Sequence, residues 1–234
     1  MILLNPLIDL MSACAFCLSR RCGRFLVATL ASLAATSATA HPHVFVDGQL
    51  DVVVSAGERF EAVSVTLHYG PFETLYLLSE NGITLDPDQG LSAAHQEALV
   101  RQLGVWPDEF EGFAHLSLAG ERQRLGRPEA LVVFLEDGNL RLRYRRRLEE
   151  PAAMAGRAAE IAFYEATYFY ELRMVNEAEI IGAAGTCAAE TVPFSPSNEL
   201  LALQTSLFDI PPDETPDIDH VGAFFADRVR LSCE

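Results

Sequence analysis

Two histidines separated by one proline follow a motif typical of signal-peptidase cleavage. His41-Pro42-His43 comes directly after Ala38-Thr39-Ala40. Cleavage after Ala40 would make His41 the N-terminal residue, with its α-amine and ring close to the ring of His43. Neutral imidazole is a good ligand for zinc, nickel, cobalt and copper. The stretch therefore predicts a site for a divalent transition metal at the mature N-terminus.

The proline narrows the geometry of this site. A copper chelate formed by the amine and a histidine at the third position needs a deprotonated amide at the second residue. Pro42 has no amide N–H, so that chelate is excluded. The choices that stay open are the His41 amine and ring with another histidine, or a looser site that uses His41 and His43.

Two further residues are candidates for completing the site. Residues 43–55 and 60–69 are rich in β-branched residues and predict a hairpin, which would place His68 at the end that carries His43. Alternatively, His68 is an ordinary strand residue that faces water. Asp47 shares a face with His43, so it could bind the metal or orient an imidazole. The alternative for Asp47-Gly48 is a kink in the strand.

A second metal motif is incomplete. Asp86 and Asp88 stand at the first and third places of a calcium-type loop, but Gly90 and Leu91 occupy the fifth and sixth places. Those places require an oxygen ligand and a glycine. We therefore do not expect calcium here. The following Ser92 predicts a helix N-cap instead.

The first 40 residues predict a cleaved secretory signal. Arg20, Arg21 and Arg24 precede an apolar run, Phe25 to Ala35, that is too short to span a bilayer. We expect residues 1–40 to be removed and residues 41–234 to form a single periplasmic domain. No later apolar stretch is long enough to insert the mature chain into a membrane.

Composition limits the partners and the chemistry. The formal net charge of −16 disfavours nucleic acid and anionic membrane surfaces and attracts cations. The sequence has no Gly-x-Ser-x-Gly, no phosphate-binding glycine loop and no His-Glu-x-x-His. We therefore expect a protein that is not an enzyme.

Two cysteines remain after removal of the leader. Cys187 and Cys233 most simply form one disulfide in an oxidising compartment. The alternative, a pair of thiolate metal ligands, is weaker because neither has a close Cys or His partner in sequence.

Patterning predicts an α+β fold with a mainly antiparallel sheet or sandwich, two or three helices and one disulfide. Asp137-Gly138 predicts a hairpin turn. We expect the basic run 141–147 to be a solvated face, residues 151–157 to be a linker, and the strand that begins at Ala159 to continue through 165–170.

His115 lies on a predicted strand; we expect it to be solvated, and the alternative is that it approaches a metal. The predicted helices cover residues 72–79, 93–103 and 198–208.

Three stretches carry a resemblance to a bacterial family. They are the opening His41 to Asp47, the aromatic stretch Phe163 to Phe169 and the closing Phe225 to Cys233. The chain resembles a family of unknown function that is labelled the periplasmic component of an uncharacterised ABC-type transport system. Members of that family often accompany nickel/cobalt-type permeases. The resemblance implies metal traffic with an inner-membrane metal permease as partner.

The sequence thus predicts a periplasmic accessory protein that binds a transition metal through His41 and His43. An alternative from another class is a structural or interaction subunit of an envelope complex, without a metal. A further alternative is a copper oxidase of the N-terminal-histidine type, although no axial tyrosine motif is visible.

Overall fold

Two β-sheets form the framework of the computed structural model, which describes residues 42, 44–85, 90–108, 110–183, 185–211 and 214–234. The strands are β1 Val44–Ser55, β2 Arg59–His68, β3 Ala114–Leu118, β4 Glu121–Gln123, β5 Glu129–Glu136, β6 Asn139–Ala153, β7 Ala158–Phe163, β8 Tyr170–Met174, β9 Ile180–Gly182, β10 Cys187–Val192 and β11 Asp227–Cys233. The helices are α1 Pro71–Glu80, α2 Ala93–Leu103, α3 Asn198–Leu207 and a 3-10 helix, Val221–Phe225. The predicted α+β class with mainly antiparallel sheets is confirmed.

The first sheet is built on the predicted N-terminal hairpin. Its strand order is β5-β6-β2-β1-β8, and β9 pairs with β1 farther along that strand. β1 and β2 pair antiparallel, as the alternating pattern predicts, whereas β8 and β9 run parallel to β1. The long β1 therefore has a hydrogen-bonded neighbour on each side and supplies several core residues.

The second sheet is antiparallel throughout, in the order β10-β11-β7-β3-β4. Cys187 and Cys233 stand opposite each other on β10 and β11, and they form the predicted disulfide. The bond closes a loop with a sequence separation of 46 residues. Such a bond is compatible with an extracytoplasmic location.

One hydrophobic core draws side chains from both sheets, among them Leu50 and Val65 from the first and Leu116 and Ile161 from the second. The sheets approach closely at Gly48, where an added Cβ would lie 2.6 Å from Cζ of Phe163. Position 48 of the strand therefore requires glycine, because a larger residue would not fit between the sheets.

The helices begin where the sequence predicts. The Ser92 side chain accepts a hydrogen bond from the backbone N–H of His95 at 3.2 Å, which confirms it as the N-cap of α2. A small second core joins α3 to the 3-10 helix through Tyr168, Leu207, Val221 and Phe225. None of the helices in the described part of the chain is long and apolar enough to cross a membrane.

The predicted continuation of the strand through residues 165–170 is wrong. β7 ends at Phe163, and the chain turns before β8 begins in the other sheet. The buried Glu165 carboxylate accepts hydrogen bonds from Thr167 N, Thr167 Oγ1 and Phe169 N at 3.0, 2.8 and 2.9 Å. These bonds to the following backbone favour a turn over an extended strand.

The predicted linker 151–157 is also partly wrong. β6 continues through Pro151 to Ala153, which pairs with Arg59 of β2. The register between these strands shifts between Phe60 and Ala62. Because a bulge leaves a residue outside the hydrogen-bonded ladder, a proline can be accommodated there.

Candidate functional site

The hairpin brings two of the predicted ligands opposite each other. Asp47 of β1 and His68 of β2 are cross-strand partners; Asp47 is exposed and His68 is half-buried. Burial and the charge of Arg141 lower the pKa of His68, although Glu136 and Asp47 oppose the shift. His41 and His43 lie outside the described residues, as do Asp86 and Asp88 of the incomplete calcium motif. The structure thus places half of the predicted N-terminal site.

His115 is not solvated, contrary to the prediction. It is 9% exposed, because β3 lies inside the second sheet and the Tyr164 ring stacks on its imidazole. The ring centroids are 3.8 Å apart and the planes differ by 18°. The alternative, that His115 approaches a metal site, stays a prediction.

Glu111, His115 and His220 form a cluster in which one potential ligand atom from each residue lies within 4.8 Å of the others. Glu111 precedes β3, His115 is the second residue of β3, and His220 immediately precedes the 3-10 helix. Glu111 is exposed, His115 is buried and His220 is half-buried. Solvent therefore reaches the cluster at Glu111 and in part at His220.

His220 has an uncommon backbone conformation. Its φ of 51° and ψ of 38° are left-handed, which few residues other than glycine adopt readily. The next turn packs against the 164–169 loop: Gly222 N donates to Ala166 O at 3.3 Å. An added Cβ at Gly222 would lie 2.0 Å from Glu165 O, so only glycine permits this contact.

Hydrogen bonds assign the tautomers of both imidazoles. His115 Nε2 lies 3.1 Å from the backbone oxygen of Tyr164, which can only accept, so Nε2 carries the hydrogen. Its Nδ1 lone pair then accepts from Arg122 Nη2 at 3.3 Å. His220 Nε2 accepts from Arg122 Nη1 at 3.2 Å, which leaves Nδ1–H to donate to the Tyr164 hydroxyl at 3.3 Å. Each ring thus directs a lone pair toward Arg122 and donates its other N–H to Tyr164.

Arg122 sits at the centre of the cluster. Besides the two imidazoles, its Nη2 donates to Glu111 Oε2 at 2.5 Å. Glu111 Oε2 lies 3.4 Å from His220 Nε2. A cationic guanidinium therefore already pairs with all three side chains, and the Arg122 side chain is 51% exposed, so it has room to move.

The protonation states of His115 and Glu111 suit metal ligands. Burial lowers the pKa of His115 to about 4; the Arg122 and Arg146 charges act in the same direction, against the Tyr164 hydrogen bond and the Glu111 charge. Burial raises the pKa of Glu111, but the Arg122 hydrogen bond and charge, with His220 and His115, outweigh it and lower the pKa overall. His115 is therefore neutral and Glu111 ionised near pH 7, as metal binding requires.

Glu111, His115 and Arg122 line a cleft of about 880 Å³, and the buried Arg146 forms part of its wall. This side chain was expected on a solvated face, but it is 6% exposed. Its guanidinium donates to four backbone oxygens, those of Glu111, Ala114, Leu125 and Gly126, at 2.6, 3.0, 3.1 and 2.9 Å. Arg146 therefore joins the segment that carries Glu111 to the segment that follows β4.

Sequence reasoning missed Glu111, Arg122, Tyr164 and His220 as members of one site. Glu111 and His220 are separated by more than one hundred residues and share no spacing motif. The alternating pattern around His115 does signal a strand, but the face that becomes buried depends on which strands flank it. Only the histidine type itself indicated a potential ligand.

Comparisons with other proteins place the chain in a family. No curated protein and no solved structure shows a significant match to it. The family model described as "Protein of unknown function (DUF1007)" matches residues 26–233, which includes every residue of the cluster. The chain therefore belongs to the DUF1007 family.

Proposed function

We propose that the protein binds a divalent transition metal at Glu111, His115 and His220, as a periplasmic accessory protein of a metal transport system. One observation carries the proposal: both imidazoles direct a lone pair toward the same guanidinium, that of Arg122, while Tyr164 accepts their other N–H groups. Histidines that bind metals in proteins almost always donate a hydrogen bond from the N–H of the other ring nitrogen to a nearby acceptor.

The donor set fits zinc, nickel, cobalt or copper better than calcium or magnesium. Two imidazoles and a carboxylate are the ligands of many three-residue zinc sites, whereas the alkaline-earth ions prefer oxygen alone. Ligands on a tetrahedral ion with bonds of about 2.1 Å lie about 3.4 Å apart. The ligand atoms of the cluster lie within 4.8 Å of one another, and Glu111 Oε2 is already 3.4 Å from His220 Nε2, so metal binding requires only a modest contraction.

Metal binding requires Arg122 to move aside. The guanidinium carries one charge and makes hydrogen bonds of 2.5 to 3.3 Å with the three ligands. A divalent ion would replace those hydrogen bonds with coordinate bonds. Arg122 thus keeps the cluster paired when no metal is bound, which avoids leaving polar groups unsatisfied.

The N-terminal His41-Pro42-His43 remains part of the proposal as a second set of ligands, with Asp47 and His68 beside it. Val44 N donates to Phe169 O at 3.2 Å, so the N-terminal strand attaches to the loop that Tyr164 begins. Residues 164–169, which include Tyr164 beside the cluster, therefore contact the strand that carries Asp47.

The transport role rests on the family resemblance and on location. The resemblance associates such proteins with nickel/cobalt-type permeases, and the Cys187–Cys233 disulfide is compatible with a periplasmic location. We propose that an inner-membrane metal permease is the partner and that the protein is not an enzyme. A structural subunit without a metal is a second candidate, favoured by the complete pairing of the cluster with Arg122.

Calorimetric titration with Zn²⁺, Ni²⁺, Co²⁺ and Cu²⁺ tests the proposal. Glu111→Gln, His115→Asn and His220→Asn should each weaken binding of the preferred ion by at least about tenfold. His95→Gln, on α2, is the matched control and should leave affinity unchanged. Affinity that survives all three substitutions would refute the cluster as a metal site.

The N-terminal ligands need a parallel experiment. Intact mass of the secreted protein establishes whether it begins at His41, and His41→Ala and His43→Ala are titrated beside the cluster variants. A second binding event that these two variants remove, while the cluster variants retain it, would support two sets of ligands. If His41→Ala and His43→Ala both keep every binding event of the unsubstituted protein, the N-terminal set is refuted.

A further inference from the structure

The cleft around the cluster is basic, although the chain as a whole is acidic. Among the residues that the structure describes, the charged side chains that line it are Asp108, Glu111, Arg122, Arg124, Arg127 and Arg146. Four cations thus face two anions, on a chain whose formal net charge is −16. Such a local excess of positive charge attracts small anions rather than bare cations.

The arginines differ in whether they are free to bind a ligand. Arg146 is buried and fully engaged with backbone oxygens. Arg127 bonds Asp108 and the backbone oxygen of Trp106. Arg124 is exposed in the cleft and makes no hydrogen bond or ion pair with any described residue. Arg124 is therefore available, and Arg122 becomes available once its ligands turn to a metal.

A metal at the cluster would leave the cleft short of negative charge. Glu111 is the only carboxylate among the three ligands, yet it would then face a divalent ion and the displaced Arg122 together. A three-residue ligand set also leaves at least one coordination position open. A carboxylate that binds the metal through one oxygen and a guanidinium through another would satisfy both requirements.

We infer that the cleft takes its metal as a complex with a small carboxylate-bearing chelator, whose carboxylates are bound by Arg122 and Arg124. This inference rests on the proposed function, because it names the form in which the metal is bound at the same cluster. The cleft volume of about 880 Å³ accommodates a small polycarboxylate beside the ion. Trp106 and Phe110, which pack edge to face at 4.8 Å, supply an apolar wall.

Titrations with three probes test the inference: the preferred metal ion alone, citrate alone, and the metal with one equivalent of citrate. The complex should bind at least about tenfold more tightly than the ion alone, as expected for an added charge-assisted pair. Arg124→Gln should remove most of that gain without weakening binding of the bare ion. Arg101→Gln is the control, since Arg101 is an exposed arginine on α2 that does not line the cleft.

The outcomes separate the two proposals. If citrate only competes with the protein for the ion, so that apparent affinity falls as citrate rises, this inference is overturned and the proposed function stands. If neither the ion nor its citrate complex binds, the proposed function fails as well. Citrate bound equally well with and without metal would identify a plain anion site and overturn this inference, while the titration with the ion alone decides the proposed function.

Discussion

The His115 ring stacks on the Tyr164 ring at 3.8 Å, and its Nε2–H donates to the backbone oxygen of the same tyrosine at 3.1 Å. One residue therefore fixes both the plane and the tautomer of the imidazole. The Tyr164 hydroxyl also accepts from His220 Nδ1 at 3.3 Å. Tyr164 thus orients two candidate ligands that come from distant parts of the chain.

Tyr164→Phe separates these roles. The substitution keeps the stacked ring and the backbone oxygen but removes the acceptor of the His220 N–H. We expect metal affinity to fall about tenfold, the lower end of the range for residues that orient metal ligands, while the fold is unchanged. Calorimetry measures the affinity and circular dichroism the fold. Unchanged affinity would show that the hydroxyl does not orient His220 for binding.

Arg122→Gln should increase affinity for a bare metal ion. The arginine competes with the ion for all three ligands, and its positive charge repels the ion. Glutamine retains hydrogen-bonding ability without the charge. We expect a gain of about tenfold in calorimetric titration with the ion alone, larger at low ionic strength because salt screens the repulsion. A loss of affinity would mean that Arg122 supports the ligands rather than competing for them.

Folding stability should depend on pH through His115. Its pKa is about 4 in the folded protein, mainly because of burial, against an ordinary value of 6.5. The unfolded chain therefore binds more protons between these values, so the contribution is complete above pH 6.5 and is lost as the pH falls toward 4. The full loss amounts to about 3 kcal/mol.

Denaturant unfolding at several pH values, without metal, measures this contribution. His115→Gln serves as the control because it cannot titrate, and its free energy of unfolding should change less between pH 6.5 and 4. Equal pH slopes for the two proteins would contradict the low pKa of His115.

Arg146→Met should destabilise the protein strongly. The substitution removes hydrogen bonds to four backbone oxygens around the cleft and leaves buried acceptors without partners. We expect a loss of about 3 to 5 kcal/mol in the free energy of unfolding. Arg143→Met, on an exposed position of the same strand, should cost less than about 1 kcal/mol. Similar losses at both positions would show that burial of Arg146 contributes little.

Much of the fold was predictable because it follows local rules. Alternating apolar residues predicted the β1–β2 hairpin. Asp137-Gly138 predicted the hairpin formed by β5 and β6, and Ser92 predicted the start of α2. These features depend on residues close in sequence. The turn at Glu165 was missed because its side-chain hydrogen bonds to the backbone compete with a strong strand pattern.

The sequence by itself determined the class of fold, the disulfide partners and the hairpin that sets Asp47 opposite His68. These follow from side-chain periodicity, turn chemistry and the presence of only two cysteines after the predicted leader. Only the tertiary structure decided that Glu111, His115 and His220 meet around Arg122. Their proximity depends on the strand order of the second sheet and on a loop packed against Tyr164. Both features bring together segments that are distant in sequence, and such contacts leave no periodic signal in the sequence.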